Sequence, residues 1–484
     1  MPQICIGFEV HQPYRLNRFF SPNAKVKQKD LDTLYFDTLN REVLERVSDT
    51  CYLPATKIIL KMLDEGFSCA FSLSGTLIEQ LEKWNPDVLS LFDQVARHKN
   101  TELLAQTYYH SIAGLFADKS EFKEQVNMHT DLMHDLFHVR PSILENTEFM
   151  FNNELATHAK NMGFAGIFTE GVDRILGWRS PNYLYNCCDI PVFLRNTALS
   201  DDIAFRFADP GWDKYPLTTD AYTDWLSSST GDIITIFLDY ETFGEHFKKE
   251  TGIFHFLQGL PVEMAKKGIS TILPSEAVLN YTPVGTIDVI DTISWTDIEK
   301  DVSAWVGNER QYTAYSAIQK AQTFAIDKSI WRYLQTSDHF YYMASKYGTC
   351  SEVHNYFSHH TAEEAFQTYM KILADFEKRC IRLMKNQKSA KALRTFPPEE
   401  AFHFRCPTGY CGYTAYNLDQ FFDLLHVVPI DSISYHQERG DFIDWINDAL
   451  KDPHLAELIK DCTQRQEIII IVGERKEVLW NPLR

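Results

Sequence analysis

The chain has 484 residues, 44% hydrophobic and 13% aromatic, enough to bury sizeable cores in two or three domains, which excludes a disordered or fibrous protein. Its 66 acidic residues against 47 basic ones leave a net charge of −19 with no dense Lys/Arg run, so nucleic acid and anionic lipid are not expected partners. Apolar runs such as 468–472 fall far short of the about 20 residues that cross a bilayer, which excludes a membrane span.

The N-terminus carries no basic segment followed by a long apolar one, so no export signal is expected. Ten cysteines without a CxxC pair fit buried thiols in a reducing cytoplasm better than a disulfide frame or a zinc site, so no metal or cofactor is expected. Short β-branched or apolar runs predict strands at 4–10, 67–71, 101–106, 142–146, 164–168, 203–207, 233–238 and 270–273. Amphipathic stretches separate them; 53–66, for instance, opens with Pro54 in its first turn and closes on Gly66. Repeated β-then-α units predict a parallel sheet, closed or nearly closed into a barrel. From Trp295 to about Lys391 the strand signal vanishes and the pattern is helical, with aromatics at Phe340, Tyr341, Tyr342, Tyr356, Phe357 and Tyr369. Phe396-Pro397-Pro398 breaks that pattern, and a compact α/β stretch with a strand at 467–472 runs to Arg484. The expected organisation is a barrel over 1–290, a helical domain over 291–395 that completes the cleft, and a small C-terminal α/β module over 396–484.

In a parallel barrel the loops after the strands converge on one face, so polar residues at strand C-termini are candidates for function. The first strand delivers His11-Gln12-Pro13, the third Tyr108, Tyr109 and His110, the fourth Thr147 and Glu148, and the seventh Asp239, Tyr240 and Glu241 followed by Glu245 and His246. Singly, each has an ordinary role: a bonded core histidine, an acid at a helix N-terminus, a capping aspartate. Together, at equivalent strand ends, they point to a site. Two carboxylates among aromatics and histidines suit glycoside hydrolysis, in which one acid protonates the leaving oxygen while the other attacks or activates water. Sugar rings also stack on indoles, and Trp212, in Asp209-Pro210-Gly211-Trp212-Asp213, is the tryptophan best placed for exposure.

In order along the chain, His11-Gln12-Pro13, Ala105-Gln106-Thr107-Tyr108-Tyr109-His110-Ser111, Asn146-Thr147-Glu148-Phe149, Leu238-Asp239-Tyr240-Glu241-Thr242-Phe243-Gly244-Glu245-His246 and Asp301-Val302-Ser303-Ala304-Trp305-Val306-Gly307-Asn308 resemble the motifs of glycoside hydrolase family 57, in its α-amylase-type subgroup. The resemblance implies a (β/α)7 barrel, a retaining mechanism, and α-glucan or maltooligosaccharide substrates. By position it makes Glu148 the nucleophile and Asp239 the general acid/base, and sets His11, His110 and Trp305 around the central sugar. Gln12, Trp212, Tyr240, Glu241 and His246 join them as expected substrate-binding residues, whereas Glu145 does not match the nucleophile position. His110 stands where other branches carry a glutamate. For its role Asp239 must rest protonated, and Glu241, Glu245 or burial is expected to raise its pKa.

Three alternatives stand beside hydrolysis. 4-α-Glucanotransfer would use the same two carboxylates, and a non-catalytic glucan binder would keep the cleft without the chemistry. A metal-dependent deacetylase barrel would need an aspartate where Pro13 stands. The stretch 401–484 resembles a small module attached to various carbohydrate-active enzymes, and its expected role is to buttress the fold.

Overall fold

A computed structural model describes residues 1–22, 26–27, 30–345 and 361–483; Tyr356 and Phe357 lie outside the described residues. The chain divides into two compact units: Met1–Arg15, Thr38–Ala304 and Gln335–Asp338 form the first, and Leu16–Asp37, Trp305–Leu334 and His339–Arg484 the second. Among the described residues no helix is long and apolar enough to cross a membrane.

The first unit is built on β1 (Gln3–Val10), β2 (Cys69–Leu73), β3 (Thr101–Leu103), β4 (Ile143–Glu145), β5 (Gly166–Glu170), β6 (Tyr185–Cys187), β7 (Ile190–Arg195) and β8 (Ile233–Asp239). Seven of them pair in the order β3-β2-β1-β8-β7-β5-β4, every pairing parallel. A parallel bridge between Ala105 and Leu144 joins the two ends of that path, with the Ala105 amide donating to Ile143 O at 2.9 Å and the Glu145 amide to Ala105 O at 2.8 Å. The result is the seven-stranded barrel expected, with β6 pairing antiparallel to β7 off the ring.

Side chains alternate across a strand, so each strand gives every second residue to the barrel interior. Cys5, Ala70, Leu104, Ile143, Phe168, Phe193 and Phe237 meet there with Phe149 in one apolar cluster. The intervening residues, among them Ile4, Ile6, Phe8, Phe71, Ile234 and Ile236, pack in a separate cluster with helix residues. Gly7 is required inside: a Cβ there would meet the Phe237 ring at 2.2 Å. Two residues beyond this apolar layer the inward positions turn polar on every ring strand: Glu9, Ser72, Gln106, Glu145, Glu170, Arg195 and Asp239.

Several elements differ from expectation. The run at 203–207 is not a strand: its first two residues end the helix Thr197–Ala204, whose first turn is capped by Asn196 accepting from the Leu199 amide. The run at 270–273 makes only one bridge, between Thr271 and Ile4. The hairpin of β6 and β7 was not expected; it turns through Cys188 and Asp189, both left-handed at φ 51° and 64°, the type I′ geometry that matches strand twist. The helix expected at 53–66 spans Leu53–Asp64 and is followed by left-handed Gly66 at φ 94°.

In the second unit, helices including Glu309–Ala321, Ala362–Ile381 and Leu418–Val427 accompany an antiparallel pair, β9 (Phe402–Cys406) with β10 (Gly409–Ala415). The run at 467–472, expected as a strand, lies in the helix Arg465–Trp480. Gln464 and Glu467 form a capping box at its start, and Ile468, Ile469 and Val472 fall on one helical face in a core with Phe402, Phe404 and Phe421. Burial against that core outweighs the β preference of an isoleucine run.

Candidate active site

Glu148 sits on a short turn, Thr147–Phe149, directly after β4. Its backbone is left-handed at φ 56°, as are Phe149 at 55° and His110 at 47°. Non-glycine residues hold that conformation at a cost of about 1–3 kcal/mol and cluster at functional sites. The strain aims the carboxylate at a set of donors. Trp295 Nε1–H donates to Oε2 at 2.7 Å and Thr296 Oγ1–H to the same oxygen at 3.0 Å, while His110 Nε2 lies 3.5 Å from Oε1. Burial alone would push this carboxyl up, but the bonds from His110 and Trp295 and the histidine's charge outweigh it and hold Glu148 below the usual carboxylate range.

Asp239 ends β8, in register with Glu9 on β1. Burial first, and the Glu148 charge second, push its carboxyl up to about 7, against the opposing pull of Arg195 and His110. Arg195 is itself pinned, donating to Glu170 Oε2 at 3.0 Å, Asp201 Oδ1 at 2.6 Å and Phe237 O at 2.9 Å, with its guanidinium over the Trp295 ring. The two carboxyls thus have opposite proton affinities, set by their surroundings.

His11 and His110 stack at 4.1 Å between ring centroids. Two stacked imidazolium ions would repel. Burial and the His110 charge hold His11 down at about 4, whereas for His110 the bond and charge of Glu148 outweigh burial and raise it. Neutral His11 donates from Nε2 to Asp338 Oδ2 at 3.0 Å and accepts at Nδ1 from Ser74 Oγ at 2.7 Å. Below this layer Gln106 Nε2–H donates to Glu9 Oε1 at 3.0 Å and to Ser72 Oγ at 2.8 Å, Ser72 Oγ–H donates to Glu145 Oε2 at 2.9 Å, and Gln106 Oε1 faces His110 Nδ1 at 3.0 Å.

The expected substrate-binding residues part company. His11 and His110 belong to the cluster just described. Glu241 is buried, accepts from Tyr52 Oη at 2.5 Å, and is pushed up to about 8, by burial first and by Asp239 as well. Gln12 is buried and accepts from Arg15 Nη2 at 3.1 Å, its backbone carbonyl taking a bond from Gln80. Tyr240 is a core residue rather than a sugar contact: it is fully buried among Phe8, Phe71 and Phe92 with its hydroxyl 3.1 Å from Thr56 Oγ1, because it points outward from the strand end where Asp239 points inward. Trp212 is half-buried, edge-on to Trp225 and under Arg206 rather than open in its loop. His246 is exposed. Trp305 belongs to the second unit and is 1% exposed, so its indole face is closed. Glu245 does not raise Asp239; it is occupied by Thr50, Lys248 and Arg46.

Sequence reasoning missed Trp295 and Thr296 as partners of Glu148, Asp338 as the anchor of His11, and the inward residues Glu9, Gln106 and Arg195. The last three had a signal: each is a polar residue at an inward position at the end of an otherwise apolar strand segment. Asp338, 327 positions from His11, had none.

A parallel barrel that presents one carboxylate held charged and one carboxyl held protonated, on different strands and among histidines and an indole, has the arrangement that a carboxylate-pair glycosidase needs. Similarity to known proteins narrows the class. The profile described as Glycosyl hydrolase family 57 matches residues 5–290, and the chain belongs to that family. It is 44% identical over 395 residues to a protein of Methanocaldococcus jannaschii named "Putative alpha-amylase", covering 77% of this chain and 84% of that one. Two solved structures share the fold at low identity. A GH57 branching enzyme from Thermococcus kodakaraensis has a TM-score of 0.57 at 12% identity, over 80% of this chain and 92% of that one. Its counterpart from Pyrococcus horikoshii has 0.57 at 14%, over 79% and 91%.

Proposed function

We propose that this glycoside hydrolase cleaves α-1,4-glucosidic bonds in α-glucans or maltooligosaccharides with retention, Glu148 acting as nucleophile and Asp239 as general acid/base. The opposite proton affinities of the two carboxyls carry the reading: between the usual carboxylate range and about pH 7 Asp239 holds its proton while Glu148 has lost its own. Glu148 Oε2 is taken up by Trp295 and Thr296, which leaves Oε1, with only the longer approach of His110, to attack the anomeric carbon. Asp239 gives its proton to the departing oxygen as the glycosyl ester forms. Esterification removes the Glu148 charge that helped to raise Asp239, so the Asp239 pKa falls. That fall is opportune, because Asp239 must next take a proton from the water that hydrolyses the ester. The nine described cysteines are all free thiols, which supports a reducing, cytoplasmic setting.

A pure maltooligosaccharide tests the reading with the wild type, Glu148→Gln and Asp239→Asn. Shorter products of retained α configuration, lost in both variants, are expected. Wild-type turnover by Glu148→Gln would overturn the assignment, and a ladder of longer products would show transfer instead of hydrolysis.

A further inference from the structure

The floor under the catalytic layer contains two carboxyls that the proposed reaction does not use. Glu9 and Glu145 are 3% and 0% exposed, come from β1 and β4, and lie close enough that, after burial, the Glu145 carboxyl pushes Glu9 well above the usual carboxylate range. Among the described residues no donor reaches Glu9 Oε2 or Glu145 Oε1. Two carboxylates can bond only if one carries a proton, and two buried charges in contact would repel strongly. The remaining bonds say which one carries it. Glu145 Oε2 accepts from the Ser72 hydroxyl and its carboxyl is drawn down by the His110 charge against that of Glu148, whereas Glu9 Oε1 accepts from Gln106, lies 3.7 Å from His110 Nδ1, and is pushed well up by burial first and by Glu145 next. Placing the proton on Glu9 Oε2 closes a ring: Glu9 to Glu145, Ser72 to Glu145, Gln106 to Ser72, Gln106 to Glu9. Glu170 on the adjoining β5 is occupied by Arg195 and Lys300 and does not enter it.

The ring meets His110 Nδ1 through Gln106 Oε1 at 3.0 Å, with Glu9 Oε1 farther off at 3.7 Å. Both hydrogens of the Gln106 amide are committed to Glu9 and Ser72, so Oε1 must face His110, and His110 Nδ1 must carry a hydrogen to meet it. A neutral imidazole with its hydrogen on Nδ1 would turn the Nε2 lone pair onto the Glu148 carboxylate; only the imidazolium satisfies both sides. We propose that Glu9 and Glu145 share one proton and that this buried pair, acting through Gln106, is a positioning device that keeps His110 doubly protonated and aimed at Glu148. It rests on the reading of Glu148 as nucleophile, but its physical core can be tested without turnover.

Infrared spectra of the wild type near pH 9, where Asp239 at about 7 and Glu241 at about 8 are mostly ionised, should retain the carbonyl band of a protonated carboxyl that Glu9→Gln lacks. A wild type without the band, or a Glu9→Gln variant that keeps it, overturns the shared proton whatever Glu148 does. In kinetics, Glu9→Gln reproduces the donor and acceptor of the protonated acid and should lower kcat by about threefold or less. Glu9→Ala and Gln106→Leu open the ring and should each lower kcat by about tenfold or more at little change in KM, and nitrogen NMR should show His110 losing its second proton at a lower pH than in the wild type. Wild-type kcat and a doubly protonated His110 in folded Gln106→Leu would overturn the positioning role. A Glu9→Gln chain that fails to fold would overturn the placement of the proton on Glu9.

Discussion

The lower and upper halves of the barrel interior are built by the same strands two residues apart, about 7 Å along each strand, and they behave as opposites. Below, Phe149, Phe168, Phe193 and Phe237 pack ring against ring with centroids 4.7 to 6.3 Å apart, and each such side chain removed from water contributes about 1.5–3 kcal/mol. Above, burial works against the native state: Glu9, Glu145 and Asp239 are all pushed up because their charges have left water. The pleat decides which residues face inward. One residue per strand then decides whether that layer adds to stability or holds buried charge.

The sharpest way to separate the halves is Asp239→Asn, which should lower kcat by about 10²–10⁴-fold, as expected for loss of a general acid, while making the protein more stable. In the folded chain Asp239 holds its proton up to about 7, whereas an unfolded aspartate loses it near 4. The native state therefore binds more protons across that window, and wild-type stability falls as pH rises through it. Urea midpoints should place the variant above the wild type at pH 8, with the gap closing towards pH 4; equal midpoints at pH 8 would break the contrast. In the lower half Gly7→Ala should do the reverse, costing about 1–3 kcal/mol of stability as the new methyl drives into the Phe237 ring, read as a drop in Tm. Trp295→Phe spans both halves, keeping the ring against Phe149 at 4.7 Å but removing the donor to Glu148. It should lower kcat by about tenfold and move the acid limb of the pH profile upward, because Glu148 loses a bond that holds it low. Thr296→Val, which removes the second donor to the same oxygen, should cost about threefold in kcat.

Sequence periodicity carried the ring strands because they are continuous apolar runs between amphipathic helices, and the carboxyl pair was visible because both members follow such runs. The hairpin of β6 and β7 was hidden by its turn, where Cys188 and Asp189 take the left-handed positions that Asn-Gly would advertise. Ile468–Val472 read as a strand because propensity is local, whereas the core that holds it as a helix is assembled from Phe402, Phe421 and other distant residues. In the site, attention to residues after the strands found His11, His110 and Glu148 but passed over Glu9 and Arg195, which stand inside them. Tyr240 shows the converse: adjacency to Asp239 in the chain put it on the opposite face, in the core.

The ring is not equally fastened all round. β8 pairs with β1 along its whole length, from Ile233 opposite Gln3 to Asp239 opposite Glu9, but among the described residues β7 meets β8 at one register pair, Arg195 with Thr235, and the ends of the path meet only through Ala105 and Leu144. The barrel is therefore two staves, β3-β2-β1-β8 and β7-β5-β4, clasped along two thin seams. Asp239 rides on one stave and Glu148 follows the other, so the spacing of the two carboxyls is set across a joint rather than along a ladder. Amide exchange should be fastest along those seams, and a few tenths of an ångström of give there would tune the spacing of the two carboxyls without bending a single strand.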